Sequence, residues 1–518
     1  MSLARNIVTV GGGTLVSRLL AYLRDAWIAA LLGAGLFAEA FFAMLQVVNF
    51  FRRLLADGAL NGAFVPIFVA LRGSEDGEAN ANRFTRRSLI AMLCIGGGVA
   101  LLLNIFAWPL MALVAPGFGP ERHAVASLLM AIATLYIGFA GVVAVLAAAL
   151  NAENRVAAVA ASTITFNLTM VAALVFTIGQ GVQPFALAIW LAGSIVVAGI
   201  AQLLITAIAW LLTGKRWQVS RARVPEQTAT FLARAAPSVI AAGIPQLKLI
   251  AAAAIVSSTP AAVSWMYYAN RLYELPLGIA SIAIAAVIVP RLVAALRDGG
   301  EALAHEQSRA FELTLGLALP AAAGFALLAT PIAGGLFEHG AFNAGDTAAV
   351  AAILTAICAG LPGHVLEKLF GAVSFANGDT RTPMLTALCG LAVAIAGGLL
   401  LFPTYGTIGA AAAVAISGWV GATLLGLTIH KRGWLRFDAA AGSRLTRIVV
   451  ATAIMAAVVG AGLMAMHAAF PQEAHSLGGR VAMLAVLVAL GLAVYGAALH
   501  FLGVAKLKDL IAALRNGT

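Results

Sequence analysis

The sequence predicts an all-α, polytopic membrane protein with about fourteen transmembrane helices. Of its 518 residues, 62% are hydrophobic and only 10% are charged, and the mean hydropathy is +0.98. A soluble domain carries roughly 25% charged residues, so this chain lacks the charge needed to cover a water-exposed surface. Its apolar residues form long continuous runs and do not alternate with polar ones, which favours helices over the strands of a membrane barrel.

The predicted spans follow from these runs, since a helix needs about 20 apolar residues to cross a bilayer. In chain order they are 6–31, 36–69, 86–114, 123–150, 157–178, 185–212, 232–256, 264–290, 309–336, 346–376, 383–402, 407–429, 446–467 and 480–503. The first run has no signal-peptide cleavage pattern and continues into charged sequence, so we expect it to be retained as a helix.

Charge in the connectors predicts the orientation of the spans. Lysine and arginine collect after every second span and in the C-terminal segment, whereas the other connectors hold only Arg122 and Arg480 beside three glutamates. The positive-inside rule then places both termini in the cytoplasm. The net charge of +11 arises from these connectors, so we expect no nucleic-acid partner.

The motifs of soluble chemistry are absent from the sequence. It contains no HExxH, GxxxxGK[ST] or GxSxG segment, and no connector is long enough for a soluble domain. Cys94, Cys358 and Cys389 lie far apart inside apolar runs, which predicts neither a disulfide nor a metal site. We expect no metal and no cofactor. His364, His467 and His500 have no metal-ligand spacing, and we interpret them as packing or interface residues in preference to proton relays.

Ionisable side chains inside the spans are the informative residues, because each costs at least ~2.5–3.5 kcal/mol at mid-membrane. Arg18 and Asp25 are seven residues apart and share one face of the first helix. On the second helix a polar stripe recurs every four residues and comprises Asn49, Arg53, Asp57 and Asn61. On the eighth helix another polar stripe comprises Tyr267, Arg271 and Glu274. Such helices predict a hydrated, net-positive central cavity.

A cationic cavity requires an anionic ligand, and the planar guanidinium fork suits phosphate. We predict that Arg18, Arg24, Arg52 and Arg271 line the cavity. Arg24 with Asp25 or Glu39, and Arg271 with Glu274, can pair when the cavity is empty and so act as gates. Arg53 and Asp57 fit a structural ion pair equally well. Lys248 is either a supporting charge or a replacement for a bound cation.

Several segments closely resemble the MurJ (MviN) lipid II flippase family of the multidrug/oligosaccharidyl-lipid/polysaccharide exporter superfamily. The segments are Ser17-Arg18-Leu19-Leu20, Arg24-Asp25-Ala26, Ala40-Phe41-Phe42, Asn49-Phe50-Phe51-Arg52-Arg53-Leu54, Asp57-Gly58-Ala59, Ala63-Phe64-Val65-Pro66, the run from Tyr268 to Gly278, Gly340-Ala341-Phe342 and the run from Asn377 to Pro383. The resemblance covers nearly the whole chain.

The resemblance implies two six-helix lobes around the cavity, residues 1–215 and 225–432, and two extra helices, residues 443–503, that form a groove for a lipid tail. It implies substrate contacts by Arg18, Arg24, Arg52, Arg53 and Arg271, with Asp25, Glu39, Asp57, Asn270 and Glu274 as gate residues or charge partners. The implied activity is alternating-access transfer of lipid II, an undecaprenyl-diphosphate-linked disaccharide peptide, from the cytoplasmic to the periplasmic leaflet of the inner membrane. A monomeric transporter is expected, and no enzyme.

The chain departs from the family pattern at four positions. Glu39 and Asn270 stand where aspartate is common, and Ala252 and Lys248 stand where members that bind sodium have an acidic residue and an asparagine. Membrane potential is therefore the expected driving force, at about 2.3 kcal/mol per charge per 100 mV. The alternatives are a drug exporter or a flippase for another diphosphate-linked oligosaccharide in the same superfamily, an enzyme acting on polyprenyl phosphate, and a scaffold for cell-wall synthesis.

Overall fold

The computed structural model describes residues 3–56, 59–75, 77–214, 231, 243–298, 300–469 and 477–504. Within those residues the secondary structure is helical and contains no strand. Nine of the described helices are long and apolar enough to cross a membrane, or ten when a bent pair counts as one span. The charged helices α1 (Leu3–Leu32) and α2 (Leu36–Ala56) are outside this set. The all-helical membrane fold predicted from the sequence is confirmed.

The chain divides into two compact units. Unit 1 comprises Met1–Ser264 with His339–Phe342, and unit 2 comprises Trp265–Glu338 with Asn343–Thr518. After α1 and α2, unit 1 contains α3 (Ala59–Arg72), α4 (Gly77–Ile105), α5 (Ala107–Val114), α6 (Pro120–Ala152), α7 (Val156–Thr177), α8 (Pro184–Leu211) and α9 (Gly243–Val256). Helix α6 packs against α2, α4 and α8, and α7 packs against α1 and α8.

Unit 2 begins with α10 (Ala262–Ala283), whose first residues belong to unit 1, and continues through a π-helical turn, Ile284–Ile288. The remaining helices are α11 (Val289–Asp298), α12 (Gly300–Leu327), α13 (Ala329–Phe337), α14 (Ala344–Cys358), α15 (Leu361–Ala376), α16 (Arg381–Lys431), α17 (Ala441–Ala469) and α18 (Leu477–Phe501). Helix α15 packs against α12 and α16, while α17 packs against α12 and α18.

An aromatic cluster forms part of the core of unit 1. Phe64 stacks on Phe68 and Phe84 with ring centroids 5.7 and 4.8 Å apart, and Phe231 meets Phe64 edge-on at 5.9 Å. Trp210 is buried in the same cluster. These rings join α3, α4 and α8. Such aromatic pairs contribute about 0.5–1.5 kcal/mol each beyond their area burial.

Helix α16 is a hairpin of two antiparallel helices, as the predicted spans 383–402 and 407–429 require. The chain reverses at Gly406, where φ is 56° and ψ is −141°. A Cβ added at Gly397 would lie 3.2 Å from the Cβ of Ala413. In a straight helix these two residues would be about 24 Å apart, at 1.5 Å per residue.

Equivalent breaks divide the third and the ninth predicted spans. Phe106 separates α4 from α5 with φ −98° and ψ 20°, and Leu328 separates α12 from α13 with φ −96° and ψ 14°. Both residues keep a backbone hydrogen bond of 2.9 Å to the residue four positions earlier. One local conformation thus recurs six predicted spans later in the chain.

The turn that joins α15 to α16 is fixed by Asp379. Its Oδ1 accepts backbone hydrogen bonds from Arg381 and Thr382 at 2.9 and 3.0 Å, and its Oδ2 pairs with the Arg432 guanidinium. Gly378, with φ +80°, supplies the left-handed residue of the turn. A hydrogen bond from the Thr382 side chain, together with backbone donors and Arg432, outweighs burial and lowers the pKa of Asp379 from 3.8 to about 2.

We expect Asp379→Asn to lower the free energy of unfolding by about 1 kcal/mol at neutral pH, a modest amount because Arg432 is 43% exposed to solvent. The folded pKa lies below the unfolded value, so the contribution is complete above about pH 4 and is lost as the pH falls toward 2. Thermal unfolding midpoints measured against pH should therefore differ at pH 7 and converge in acid. Replacement of the exposed Glu75 by Gln is the matched control, and it should leave the unfolding midpoints at pH 7 and in acid unchanged.

Candidate functional site

The Arg24–Asp25 pair on α1 is present as predicted, and it is enclosed in unit 1. Arg24 Nε and Nη2 donate to Asp25 Oδ1 at 2.9 and 2.6 Å. Arg24 is 4% exposed and Asp25 is fully buried. Because both charges are removed from solvent, an anionic ligand can reach this guanidinium only by competing with the carboxylate that already neutralises it.

Asn167 on α7 holds the pair in place, and the sequence analysis did not identify it. Its Oδ1 accepts from Arg24 Nη1 at 3.0 Å, and its Nδ2 donates to the backbone oxygen and the Oγ of Ser17 at 3.0 and 3.1 Å. The sulfur of Met170, one turn later, lies 3.6 Å from the same Nη1. The only signal in the sequence was a single amide in an apolar helix, which also occurs at many sites without function.

Arg52 on α2 reaches the neighbouring residue of α7. Its guanidinium lies over the Phe166 ring, 5.7 Å from the centroid, and its Nε donates to Asn49 Oδ1 at 3.4 Å. The structure thus brings Arg24 and Arg52 to adjacent residues of one helix, and both take part in interactions with α7. Arg18 and Arg53 are partly buried in their helices. The predicted partner Asp57 lies outside the described residues, and so does the side chain of Asn61.

Glu39, which the sequence offered beside Asp25 as an alternative partner of Arg24, pairs with Arg122. Its Oε2 lies 2.9 Å from Arg122 Nη1, and its Oε1 accepts the backbone N–H of Val263 at 3.3 Å. Arg122 also approaches the carbonyl oxygens of Gly117 and Ser257, each at 3.5 Å. The Glu39–Arg122 pair therefore joins the start of α2 to the start of α6, and it also contacts the first turn of α10 at Val263 and the preceding turn at Ser257. In the sequence, Arg122 was visible only as an isolated charge in a connector.

Replacement of Arg122 by Ala is expected to destabilise the protein by about 3 kcal/mol, because it leaves a carboxylate that is 1% exposed without its counter-charge. The measurement is the thermal or denaturant midpoint of the purified protein. Adding Glu39→Gln should recover most of the loss, since the double variant buries no charge. If Arg122→Ala unfolded at the wild-type midpoint, the pair would not contribute to stability.

The candidate residues of unit 2 lie on one side of α10. Arg271 Nη1 is 3.2 Å from Glu274 Oε2, and the two side chains are 21% and 24% exposed. Asn270 beside them is partly buried. The pair predicted from the sequence is thus present, and it is far more accessible than the Arg24–Asp25 pair.

The other side of α10 is aromatic and anchored. Tyr268 is fully buried against Phe337 with centroids 4.8 Å apart, and the Trp265 indole N–H donates to Asp346 Oδ1 at 2.8 Å. Asp346 in turn closes the capping box at the start of α14 together with Asn343. These contacts fix the rotation of α10 and so leave Arg271 and Glu274 on its accessible side.

Polar contacts attach the last helix, α18, to other helices of unit 2. Arg480 on α18 pairs with Glu338 at 2.8 Å, and the same carboxylate accepts from Thr347 Oγ1 at 2.7 Å. The Tyr495 hydroxyl donates to the carbonyl of Gly316 on α12 at 2.7 Å. Outward-facing positions within residues 449–464 of α17 and 481–492 of α18 are apolar.

Lys248 and Gln246 on α9 are both buried in unit 1. Lys248 places an amino group, which is not an oxygen ligand for a cation, in this buried segment. Within the part of the chain that the structure describes, no group of three His, Cys, Asp or Glu side chains has an arrangement suited to a metal ion.

Paired charges on the helices of a polytopic membrane protein are typical of membrane transporters. Solved structures with the same fold include one described as "Lipid II flippase MurJ, inward closed conformation", with a TM-score of 0.78 and 21% identity over 97% of this chain and all of that one. A multidrug resistance MATE family transporter of the MOP superfamily, inward-facing, gives a TM-score of 0.69 at 15% identity over 82% of this chain and 98% of that one.

Sequence comparison identifies the family. The family model "Lipid II flippase MurJ" matches residues 28–475. A "Probable lipid II flippase MurJ" of Rhizobium meliloti (strain 1021) is 36% identical over the whole of this chain and 97% of its own, and a "Lipid II flippase MurJ" of Burkholderia cenocepacia is 28% identical over 84% and 87%. The chain belongs to the lipid II flippase MurJ family, as the motif resemblance indicated.

Proposed function

We propose that this chain is a flippase that moves lipid II from the cytoplasmic to the periplasmic leaflet of the bacterial inner membrane. Its relatives carry that name, and the match extends over nearly the whole chain. The observation that carries the proposal is the Arg271–Glu274 pair, an accessible guanidinium on a predicted spanning helix. A diphosphate can form the same charge-assisted hydrogen bonds with Arg271 that Glu274 forms in this structure.

The mechanism is exchange of ion-pair partners during alternating access. Arg271, Arg24 and Arg52 bind the diphosphate, and the carboxylates of Glu274 and Asp25 are displaced from their arginines. When the headgroup leaves, the arginine–carboxylate pairs form again, so no guanidinium stays uncompensated at low dielectric. Arg18 and Arg53 add positive charge, and Asn270, Glu39 and Asp57 complete the set of gate residues. No covalent bond is made or broken, so the protein acts as a transporter and not as an enzyme.

The proposal assigns a role to each part of the chain. Residues 1–215 and 225–432 form the two six-helix lobes, and residues 443–503 accommodate the undecaprenyl tail, which stays in lipid while the headgroup crosses. Both termini are cytoplasmic, in agreement with the distribution of basic connectors. Because one chain supplies both lobes, the protein works as a monomer. Membrane potential drives the cycle by acting on the net charge moved, at about 2.3 kcal/mol per charge per 100 mV.

The decisive experiment is transport of labelled lipid II in vesicles that contain the purified protein. We expect transfer to the opposite leaflet at a rate well above that of protein-free vesicles, and a faster rate when a potential is imposed. A diphosphate-linked oligosaccharide without the peptide, and a cationic drug, test the two alternatives that the shared MOP fold leaves. Transport of either compound in place of lipid II would overturn the proposed substrate.

A further inference from the structure

Unit 2 contains a second group of titratable side chains, adjacent to the Arg271–Glu274 pair on α10. Tyr273 lies between those two residues in the sequence and is buried. Its hydroxyl oxygen is 2.7 Å from His364 Nδ1, and the two rings meet edge-on with centroids 6.0 Å apart. Glu367 follows His364 by one turn on α15. From the sequence, His364 was interpreted as a packing residue, and the proposed substrate site does not use it.

The hairpin helix α16 provides a niche for each of the two side chains on α15. A Cβ added at Gly418 would lie 2.7 Å from His364 Nδ1, and one added at Gly421 would lie 2.8 Å from the carboxyl carbon of Glu367. The two glycines are three residues apart, as are His364 and Glu367, so both side chains enter the same groove in register. In place of His364, a hydrocarbon side chain could fill the niche at Gly418, but the Tyr273 hydroxyl would then lose His364 Nδ1 as its hydrogen-bond partner.

The helix that carries His364 is discontinuous within its predicted span. Helix α14 ends at Cys358 and α15 begins at Leu361, with a bend of 42° between them. The carbonyl of Ala359 in this break accepts the indole N–H of Trp419 at 2.8 Å. Non-helical backbone at membrane depth is tolerated where protein or a polar cavity surrounds it, and transporters place substrate and coupling-ion sites at such breaks.

The charged and titratable groups around His364 come from few elements. Helix α10 contributes Arg271, Tyr273 and Glu274; α14 contributes Cys358; and α15 contributes Glu367 and the exposed Lys368. Helix α12 has no titratable side chain between Leu313 and Leu327, and the second half of α16 has none before His430. On α11, Arg291 is exposed. Glu367, one turn from His364, is the carboxyl group placed to compensate a positive charge on the imidazole.

We propose that His364 is a proton-binding site whose protonation changes its hydrogen bond with Tyr273, and through α10 the position of Arg271 and Glu274. In the neutral form with the proton on Nε2, Nδ1 accepts the Tyr273 hydroxyl hydrogen. When one proton is taken up from water, Nδ1–H becomes a donor to the phenol oxygen. The hydroxyl hydrogen must then turn to another acceptor, so the side chain of Tyr273 moves. The coupling to transport rests on the proposed function, whereas proton binding does not.

The site is tested directly by the ¹⁵N resonances of labelled histidine in the full-length protein reconstituted in lipid. His364→Gln identifies the signal by its loss. We expect this signal to titrate between about pH 5 and 8, and Tyr273→Phe to shift its midpoint by about one unit. His430→Gln, at an exposed histidine on α16, should remove a different signal and leave the midpoint unchanged. A His364 signal that does not change from about pH 5 to 9 would overturn the site.

The coupling is tested in the vesicle assay with the same pH on both sides of the membrane. Between about pH 5.5 and 8 we expect the wild-type rate to change by about threefold or more, and the rates of His364→Gln and Tyr273→Phe to change much less. His430→Gln should keep the wild-type profile. A pH profile shared by wild type and both site variants would overturn the coupling. If His364 titrates but the wild type moves no lipid II, the proposed function fails and the proton site stands.

Discussion

Replacement of Arg24 by Ala is expected to abolish lipid II transport and to destabilise the protein by about 3–5 kcal/mol. The loss of stability has a local cause. The variant leaves the Asp25 carboxylate fully buried without the guanidinium that donates to it at 2.6 and 2.9 Å. It also leaves Asn167 Oδ1 without the donor that links α1 to α7. The measurements are the unfolding midpoint of purified protein and the transfer rate in vesicles.

A double variant separates the two effects. Arg24→Ala with Asp25→Asn removes both charges of the pair, so we expect most of the stability to return. Transport should stay absent, because no guanidinium at this position can bind a diphosphate. Recovery of both stability and transport would show that Arg24 is a structural residue and would remove it from the substrate site. Asn167→Ala should destabilise the protein less than Arg24→Ala does, by about 1–3 kcal/mol, because it leaves a buried donor unsatisfied.

Replacement of Arg271 by Ala should have the opposite balance, with a large effect on transport and a small effect on stability. The pair with Glu274 is partly exposed, so its loss should cost about 0–1 kcal/mol of folding free energy. A charge-assisted hydrogen bond to phosphate is worth about 2 kcal/mol, which corresponds to at least a 30-fold loss of transport. Initial rates at low lipid II concentration report this loss most directly.

Arg271→Lys is the matched control for charge. Lysine keeps the positive charge but cannot form two parallel hydrogen bonds with one phosphate, so we expect an intermediate rate. Cell growth gives a second measurement: a strain that depends on Arg271→Ala should accumulate lipid II, although the protein is present in the membrane at normal amount. Wild-type growth and rates for Arg271→Ala would contradict a substrate role for this residue.

The sequence alone predicts where the helices lie because hydropathy decides membrane insertion. The predicted boundary between the spans 383–402 and 407–429 coincides with the reversal at Gly406, although α16 is one helical segment from Arg381 to Lys431. The breaks at Phe106, Leu328 and Ala359 were not predicted, since the apolar pattern is the same on both sides of each break. A proline follows each break by three residues, at Pro109, Pro331 and Pro362, but proline alone does not identify a break, because Pro320 lies inside α12 without ending it.

Side-chain partners were predicted only where they are close in the chain. The Arg24–Asp25 and Arg271–Glu274 pairs are one and three residues apart, and helical geometry favours the second of them. The Glu39–Arg122 pair joins residues 83 apart, and Arg24 meets Asn167 across 143 residues. Such contacts depend on how α1 packs on α7 and α2 on α6, which single-sequence periodicity does not specify.

The reversal at Gly406 also bears on how the polypeptide enters the bilayer during synthesis. Its backbone angles are accessible to glycine and strained for other residues, so the turn occupies very few positions. Gly397 and Ala413, on opposite arms, are already in contact close to that turn. No long hydrophilic segment separates the two arms, so neither arm can stay in water while the other inserts. The insertion machinery must therefore release the two arms into lipid together, as one unit with both ends on the same side.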